Sequence, residues 1–579
     1  MRKLIKPPII FLLFIGCFNV ADAQEDSAKG KLSISGTMGV SYEYYGLHRK
    51  PGGWTGFMPR KPWNQVRFNF SPNMKFGKNF SLPFNFNFAM KPTNYAGPYS
   101  GISKQSFGQF ITNPMNSFGL NPKYKWAELQ LGTQYLNYSA LSTGDIGVFG
   151  GGVDLRPGIF MIKFFTGVSQ QGINFFTGPP ATTGSYQRWN WMSSLGVAKE
   201  GKYEAAVNFV KAKDDTTSVN TPPVGINPQE GFTMSVSGKA MIKGGWYVNG
   251  EAAQSIYTKN LLLPQDSSKP SFKPFIDGHT STVKDYAADF GAGRKTQNVD
   301  IGIKLKYLGA GFQTPGYPFL LPDRFDYTLN TRFNAVKDKN GGHKMNVVAS
   351  IGQRVNNVSN TTLRAKQFIG NLNWFTQFND HWNLNISFNN FGFQAPGGIN
   401  PYGIKNVSND LGINPSYTWG NDKVIHLLSL NYNYSKYEER DVLTGLTTSN
   451  NTHTGLLTYV PTFLKGNISP DFTAMYFYNS VPGFKLTLFT VSAGASMQAA
   501  KKKMNLRAQL QYNYSKTNSF KGNNNIIFTF SDDWKISDRV TWNVFVCTNQ
   551  FKYGNEITPN NASYLESNVR TGLLYRFGK

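Results

Sequence analysis

Apolar and polar residues alternate with a period of two along most of this chain. Between residues 80 and 90 every second residue is apolar, and the same rhythm recurs in many segments up to the C-terminus. Successive side chains of a β-strand point to opposite faces, so this period predicts strands with one apolar and one polar face. The apolar set between residues 80 and 90 is Phe80, Leu82, Phe84, Phe86, Phe88 and Met90. Many such segments, each about ten residues long and separated by turn residues, are typical of a transmembrane β-barrel.

We therefore predict an all-β fold, a single large transmembrane antiparallel β-barrel of about 22–26 strands. Bacterial barrels of this kind have an even number of strands, with both chain ends and the short turns in the periplasm and the longer loops outside. Strands placed in this frame leave the long stretch 259–297 on the periplasmic side, which breaks the alternation of short turns and long loops. A second break in this alternation lies between residues 92 and 170. We expect one further strand in each of these two regions.

The hydropathy of the chain agrees with a barrel rather than with membrane helices. After the first two dozen residues, no uninterrupted apolar run approaches the ~20 residues that a membrane helix needs. The mean hydropathy is −0.36, which suits a barrel because only alternate residues must be apolar. Aromatic residues make up 15% of the chain, and this excess suits an apolar outer band bordered by aromatic girdles.

The first 23 residues have the pattern of a secretory signal peptide. A basic segment and a short apolar run precede the small-residue site Ala21-Asp22-Ala23, so we predict cleavage after Ala23 and export through the secretory pathway. A competing interpretation makes Cys17 a lipidation site, but Phe14 stands where an aliphatic residue is usual. Residues 24–579 are then expected to form one barrel domain in the cell outer membrane. The first strand follows the cleavage site so closely that we predict no N-terminal plug.

The last segment of the chain is amphipathic and ends in an aromatic residue. One face of it carries Val569, Thr571, Leu573, Tyr575 and Phe577. An aromatic residue at the end of a final amphipathic strand resembles the outer-membrane assembly signal of barrel proteins. We therefore expect the barrel-assembly machinery to recognise the C-terminal strand that ends at Phe577.

Several short motifs resemble those of a known group of proteins. The motifs are Leu305-Lys306-Tyr307, Gly311-Phe312-Gln313-Thr314-Pro315-Gly316-Tyr317, Ala349-Ser350-Ile351-Gly352-Gln353-Arg354-Val355-Asn356-Asn357, Lys211-Ala212-Lys213-Asp214-Asp215 and Pro228-Gln229-Glu230. They are similar to large Bacteroidota outer-membrane barrels of unassigned function. The resemblance spans most of the chain after the leader. It implies a location and an architecture rather than an activity.

We predict that the protein is not an enzyme and holds no cofactor or metal. None of its six histidines stands in a hydrolase or zinc-enzyme motif, and His426, which lies in a predicted strand, is expected to be a girdle or lumen residue. The acidic clusters Asp214-Asp215 and Glu438-Glu439 are expected to be solvated loop charge rather than calcium ligands. Gly150-Gly151-Gly152 is expected to allow a bend or bulge. Cys547 is expected to be a small apolar residue of an alternating strand.

The strongest indication of function is charge. The chain has 59 Lys and Arg against 33 Asp and Glu, a net charge of +26. A Lys or Arg at the bilayer midplane costs about 2–4 kcal/mol, so the cations must occupy the lumen, the rims or the loops. Cations around a water-filled pore raise the local concentration of anions. The predicted lumen or constriction cations are Arg156, Arg294, Lys295, Arg324 and Lys405. The predicted outer-rim cations, which would meet phosphates of outer-membrane lipid and lipopolysaccharide, are Arg49, Lys50, Arg60 and Lys61.

These features predict an outer-membrane channel, porin-like, for the passive passage of polar or anionic solutes. A barrel of this size leaves an aqueous lumen unless something fills it. The segments that could fold inward are 92–122, 171–186, 213–229, 259–297 and 395–411. The alternative is a surface scaffold or secretion-machinery barrel that binds a protein partner through its long loops, with the lumen sealed. No nucleic acid partner is expected, because no basic soluble domain exists to present it.

Overall fold

The fold is taken from a computed structural model of the chain. The structure describes residues 32–49, 64–90, 116–144, 146–177, 183–316, 320–336, 343–362, 364–395, 403–441, 444–554 and 563–578. The predicted leader, with Cys17 and the cleavage site after Ala23, lies outside these residues, as do the predicted rim residues Lys50, Arg60 and Lys61.

Nearly all regular structure in the described residues is β-strand. The strands are β1 Leu32–Arg49, β2 Asn64–Phe76, β3 Phe80–Met90, β4 Ser117–Leu120, β5 Lys123–Tyr124, β6 Ala127–Leu136, β7 Ile146–Leu155, β8 Phe160–Gln170, β9 Gln187–Lys199, β10 Tyr203–Asp215, β11 Glu230–Met241, β12 Trp246–Thr258, β13 Thr282–Lys295, β14 Val299–Leu308, β15 Arg324–Val336, β16 Lys344–Asn356, β17 Ala365–Gln377, β18 Trp382–Ala395, β19 Ile404–Gly420, β20 Val424–Arg440, β21 Thr447–Phe463, β22 Ile468–Val481, β23 Phe484–Ala499, β24 Met504–Thr517, β25 Asn523–Lys535, β26 Val540–Lys552 and β27 Tyr564–Phe577. The described residues also include one 3-10 turn, Lys243–Gly245. No helix in the described part of the chain is long and apolar enough to cross a membrane.

The strands close into one antiparallel barrel. Each strand pairs with its neighbours in the sequence, and β1 pairs with β27 from Gly36 opposite Phe577 to Arg49 opposite Leu565. The short strands β4 and β5 both pair with β3 and with β6, so they share one position in the ring. The barrel therefore has 26 strand positions, an even number that places both described chain ends on one rim.

Turn lengths distinguish the two rims. On the rim that holds the chain ends, the connections are short, such as 77–79, 200–202 and 421–423. The opposite rim holds most of the longer connections, including 259–281 and 309–323. We call them the short-turn rim and the long-loop rim. The general rule for bacterial barrels assigns the first to the periplasm and the second to the outside.

The two expected additional strands are both present. Strand β13, Thr282–Lys295, occupies the second half of the stretch 259–297, so the remaining loop moves to the long-loop rim. In the region 92–170, the additional strand position is the one that β4 and β5 share, before β6. The sequence pattern indicated a single strand over 123–136, where the structure has β5 and β6. About half of the stretch 395–411 is likewise strand, since β19 begins at Ile404.

The outer face of the barrel is largely apolar, as β14 shows. In β14 the alternate residues Ile301, Ile303 and Leu305 are 45%, 47% and 36% exposed, although they are aliphatic. The intervening residues include Lys304 and Lys306, which face the interior. Exposed aliphatic side chains on the outside of a closed sheet are stable only against lipid. The protein is therefore a large outer-membrane β-barrel.

Aromatic rings form two belts on this outer face. Near the short-turn rim, Trp419 lies 5.3 Å from Tyr417 and 5.1 Å from His426, measured between ring centroids. Nearer the long-loop rim, His453 lies 4.9 Å from Tyr434 and 6.3 Å from Tyr478. Amphipathic rings favour the two membrane–water interfaces. His426, whose Nδ1 is 2.9 Å from the Tyr459 hydroxyl, is thus a girdle residue.

Candidate functional site

Two connections from the long-loop rim fold against the inner wall of the barrel. They are residues 137–144, between β6 and β7, and residues 309–316, between β14 and β15. We call these two segments together the inner latch. Neither was among the segments that the sequence indicated as inward-folding.

The two segments of the latch bind each other. The amide of Gly144 donates a hydrogen bond to the carbonyl of Gly316 at 2.6 Å, and the Thr314 hydroxyl donates to the carbonyl of Ser142 at 2.8 Å. A Cβ atom at position 316 would lie 2.2 Å from the Ser142 carbonyl oxygen. Only glycine allows this approach without displacing one backbone from the other.

The latch is also attached to the inner wall. The amide of Leu141 donates to Glu251 of β12 at 3.1 Å, and the amide of Gly311 donates to Asp285 of β13 at 2.6 Å. An apolar cluster accompanies these bonds and contains Leu141, Ala253, Ala287, Leu308, Phe312 and Leu320. The latch thus covers the inner wall with a buried core and satisfied backbone groups.

Tyr138 of the latch lies against the inner wall beside β8. The Lys163 ammonium lies 5.6 Å from the centre of the Tyr138 ring. Burial raises the pKa of Tyr138, and the negative charge of Asp154 raises it further. The guanidinium of Arg156, in the following turn, donates two hydrogen bonds to Asp154, and these bonds raise the pKa of Arg156. The phenol therefore stays neutral at physiological pH.

A row of charged side chains crosses the inner wall beside the latch. Directly opposite one another on neighbouring strands β12 to β16 are Glu251, Asp289, Lys306, Asp326 and Arg354. Asp326 accepts two hydrogen bonds from Arg354, at 2.9 and 3.1 Å. We call this set the charged row. Its first member is the carboxylate that binds the latch at Leu141, so the row and the latch are one connected structure.

Two further cations accompany the charged row. The Lys304 ammonium is 3.5 Å from Asp289, and the Arg324 guanidinium is 3.2 Å from Asp326. The side chains of Asp289 and Asp326 are only 10% and 13% exposed. Acids buried to this degree are stable as anions only with cationic partners.

The inner face as a whole carries nearly balanced charge. In the described strands, the inward-facing cations are Arg67, Lys75, Lys123, Lys163, Arg188, Lys239, Lys295, Lys304, Lys306, Arg324, Arg332, Lys344, Arg354, Arg507, Lys535, Arg570 and Arg576. The inward-facing acids are Glu43, Glu128, Asp154, Glu204, Asp214, Glu251, Asp285, Asp289, Asp300, Asp326, Asp410, Glu439, Asp471, Asp533 and Glu566. The surplus of positive charge therefore lies elsewhere.

The described short turns carry part of that surplus. Their cations, all exposed, are Lys78, Lys125, Arg156, Lys202, Lys243, Lys423, Lys465, Lys501, Lys502, Lys503 and Arg539. Their acids are Glu200, Asp380, Asp422 and Asp538. We call this set of cations the basic rim. The sequence did not indicate it, because each turn contributes only one to three residues and the closed barrel brings them together.

The five cations predicted for the lumen do not form one constriction. Arg324 and Lys295 face the interior, at opposite rims, with Arg324 against Asp326 and Lys295 opposite Asp300. Arg156 lies in a short turn, 3.0 Å from Asp154. The other two point outward: the Arg294 guanidinium lies 5.8 Å from the centre of the Trp246 ring, and Lys405 donates to Glu438 at 2.6 Å. Of the predicted outer-rim cations, Arg49 ends β1, and the others lie outside the described residues.

Several local expectations differ from the structure. Asp214 is not solvated, because it lies in β10, is 3% exposed and binds Arg188 at 2.7 and 2.9 Å. Glu438 lies in β20 and not in a loop. Gly150-Gly151-Gly152 makes no bulge, since β7 pairs with β8 without a register shift. A Cβ at Gly150 would instead lie 1.9 Å from the carbonyl oxygen of Thr166 in β8, so close approach of two strands explains that glycine.

The remaining candidates for chemistry can be placed as follows. Cys547 is a free thiol in β26, opposite Thr529 and Asn568. Within the described residues, no three His, Cys, Asp or Glu side chains are grouped closely enough to hold a metal ion. The inner latch, the charged row and the basic rim are therefore the features on which a functional argument rests.

Comparisons with known proteins give structural resemblance only. No family model and no curated protein matches the chain. The chain is similar to the translocation pore of the P pilus usher PapC, with 9% identity over 94% of this chain and 98% of that one, and a TM-score of 0.36. It is similar to a variant of the ferric enterobactin receptor PfeA from Pseudomonas aeruginosa, with 10% identity over 95% and 82% of the two chains and a TM-score of 0.40. It is also similar to the copper transporter OprC, with 10% identity over 96% of this chain and 82% of that one, and a TM-score of 0.39. At these scores, the architecture rests on the strand pairing itself.

Proposed function

We propose that the protein is an outer-membrane channel for the passive passage of polar solutes, with a preference for anions that arises at its short-turn mouth. The observation that carries this proposal is the inner face, which is polar and ion-paired on strand after strand of a closed ring of 26 positions. Barrels of 16–18 strands already enclose an aqueous channel. A wall of this chemistry is stable only if it is wet or bound to a polar filling.

The basic rim supports the preference for anions. Its charges are exposed and surround the entrance, so they raise the anion concentration there within about one Debye length, ~8–10 Å in physiological salt. The turn 500–503 is its most basic part. Ala500, Lys501 and Lys502 all have positive φ, at 50°, 55° and 67°, although a left-handed conformation costs a residue other than glycine about 1–2 kcal/mol. Lysine is thus present where glycine or asparagine would fit with less strain.

Single-channel recording tests the proposal directly. The full chain after its leader is refolded into planar bilayers, and conductance and reversal potential are measured under a salt gradient. We expect steady conductance steps with a reversal potential of the sign that anion preference requires. Silent bilayers from protein whose barrel is shown to be folded by its heat-modifiable migration on gels would contradict the channel, and would favour the scaffold with a sealed lumen.

Neutralising one basic turn is expected to weaken anion preference. In the variant with Lys501→Gln, Lys502→Gln and Lys503→Gln, the anion-to-cation permeability ratio should fall about twofold, because three charges leave the mouth while the wall is unchanged. The matched control carries Lys259→Gln, Lys269→Gln and Lys273→Gln, which lie in one connection of the long-loop rim. Equal shifts in the two variants would show that net charge, and not the position of the basic rim, sets the selectivity.

A further inference from the structure

The connection 259–281 folds over the outside of the barrel. It belongs to the stretch 259–297, one of the segments that could fold inward, but its Phe272 and Phe275 stack on Phe232 of β11, with ring centroids 5.4 and 5.1 Å apart. Ile276 is buried in the same cluster, together with Ile256 of β12. Phe232 and Ile256 face one another on the outer face of the sheet. We call the connection 259–281 the outer flap.

The outer flap has an ordered internal structure. Gln265 forms a β-bridge with His279, and the amide of Asp266 donates to the carbonyl of Gly278 at 2.9 Å. The flap is also tied to the neighbouring connection, since the amide of Leu261 donates to the carbonyl of Pro228 at 2.9 Å. A segment held in this way can form one wall of a binding site without first being ordered by the ligand.

A cleft of about 660 Å³ lies between the outer flap and the ends of β9 and β10. Its barrel side includes Trp189 and Trp191, whose rings are stacked 6.4 Å apart at 29° and are 40% and 39% exposed. Trp191 is directly opposite Lys211, which in turn is opposite the outward-facing Phe232. Trp189 lies two residues from Trp191, so both rings are on the outer face. At the long-loop end of β9 they stand at the height of an aromatic girdle, next to the head groups of the outer leaflet.

The other residues that line the cleft are mostly polar and carry both donors and acceptors, with Leu261 as the apolar member. Lys213 lines it from β10 and is half exposed, 3.5 Å from Glu230. Asp215 lines it from the same strand and accepts from the Thr217 hydroxyl at 2.7 Å. On the flap side, His279 Nδ1 is 2.8 Å from the Leu263 carbonyl. A carbonyl can only accept, so Nδ1 donates to it, and Nε2 of the neutral imidazole faces away as an acceptor.

We infer that this cleft binds the saccharide head group of an outer-leaflet glycolipid. A pair of partly exposed tryptophan rings beside mixed donors and acceptors matches a sugar ring, which has C–H groups on its faces and hydroxyls at its edge. An acyl chain would take the exposed polar atoms of Lys213, Asp215 and His279 out of water and offer them no hydrogen bond in return. A bare phosphate would be repelled by Asp215, and the nearby lysines already have a partner in Glu230. The position of the cleft beside the membrane interface selects a lipid-borne sugar.

Binding of rough-type lipopolysaccharide to the refolded chain in detergent micelles tests the inference. A fluorescent lipopolysaccharide is titrated with protein, and its polarisation gives the dissociation constant. Trp191→Leu should weaken binding about 3- to 10-fold, the range expected for loss of one aromatic contact. Lipid-free core oligosaccharide should compete with the labelled lipid. Heat-modifiable migration on gels verifies that each variant has a folded barrel.

The matched control is Trp374→Leu. Trp374 lies on the outer face of β17, away from the cleft, and is 38% exposed, so the substitution makes the same chemical change at the same exposure. Equal affinities of the two variants would overturn the assignment. Failure of the oligosaccharide to compete would also overturn it, because the acyl chains would then account for binding. The result does not depend on whether the lumen conducts.

Discussion

Asp326→Asn is expected to destabilise the barrel by about 3 kcal/mol and to make the pore more selective for anions. The carboxylate of Asp326 holds Arg354 through two hydrogen bonds, lies 3.2 Å from Arg324 and is directly opposite Lys306. The amide would leave these three cations facing each other with one fewer negative charge, and breaking a largely buried ion pair typically costs about 3–5 kcal/mol. Urea unfolding in lipid vesicles measures the free energy, and reversal potentials measure the selectivity.

Asp410→Asn is the matched control for that change. Asp410 also faces the interior, on β19, and its contact is a hydrogen bond from the Ser408 hydroxyl at 3.3 Å. We expect a loss of stability below about 1 kcal/mol there, since a neutral amide oxygen can accept the same bond. If the two variants lose equal stability, the ion pairs of the charged row contribute no more than any inward acid.

Gly316→Val is expected to open the inner latch while the barrel stays closed. A Cβ at this position would overlap the Ser142 carbonyl oxygen, so the two segments must separate. The hydrogen bonds between Gly144 and Gly316 and between Thr314 and Ser142 would then be lost, at about 1 kcal/mol each. We expect the amides of Leu141 and Gly144 to exchange hydrogen about 30-fold faster, and the single-channel conductance to rise because the wall is no longer covered.

The same substitution at Gly455 controls for the effect of valine itself. A Cβ at Gly455, in β21, would meet no atom within 4 Å. We expect unchanged conductance and unchanged exchange at the latch. An unchanged conductance in Gly316→Val, with exchange at Leu141 accelerated, would show that the latch covers the wall without narrowing the path of ions.

The strand pattern was readable from the sequence wherever the two faces differ in polarity. In β3 the outward set is entirely apolar, and the alternation is unmistakable. In β13 alanine occurs on both faces, with Ala287 inward and Ala288 outward, so the period of two is weak. The break in loop lengths, and not the residues of Thr282–Lys295 themselves, indicated that a strand was missing.

The orientation of single charges was not readable in the same way. Arg294 and Lys295 are neighbours in the sequence, yet one lies over Trp246 on the outside and the other faces the interior. A shift of one residue in register exchanges the two faces of a strand. Any lumen assignment for a charge near the end of a strand therefore depends on the exact pairing, which composition and net charge do not contain.

The sequence by itself determined that this chain forms a large, even-stranded barrel with an apolar outer face, because alternation is a local property that each strand shows on its own. Only the tertiary structure decided which connections cover the wall and from which side. The latch joins Ser142 to Thr314, 172 residues away, and the outer flap goes outward because Phe232 is there to receive Phe272 and Phe275. Contacts between segments so far apart depend on the closure of the whole ring, since closure alone brings those surfaces within reach.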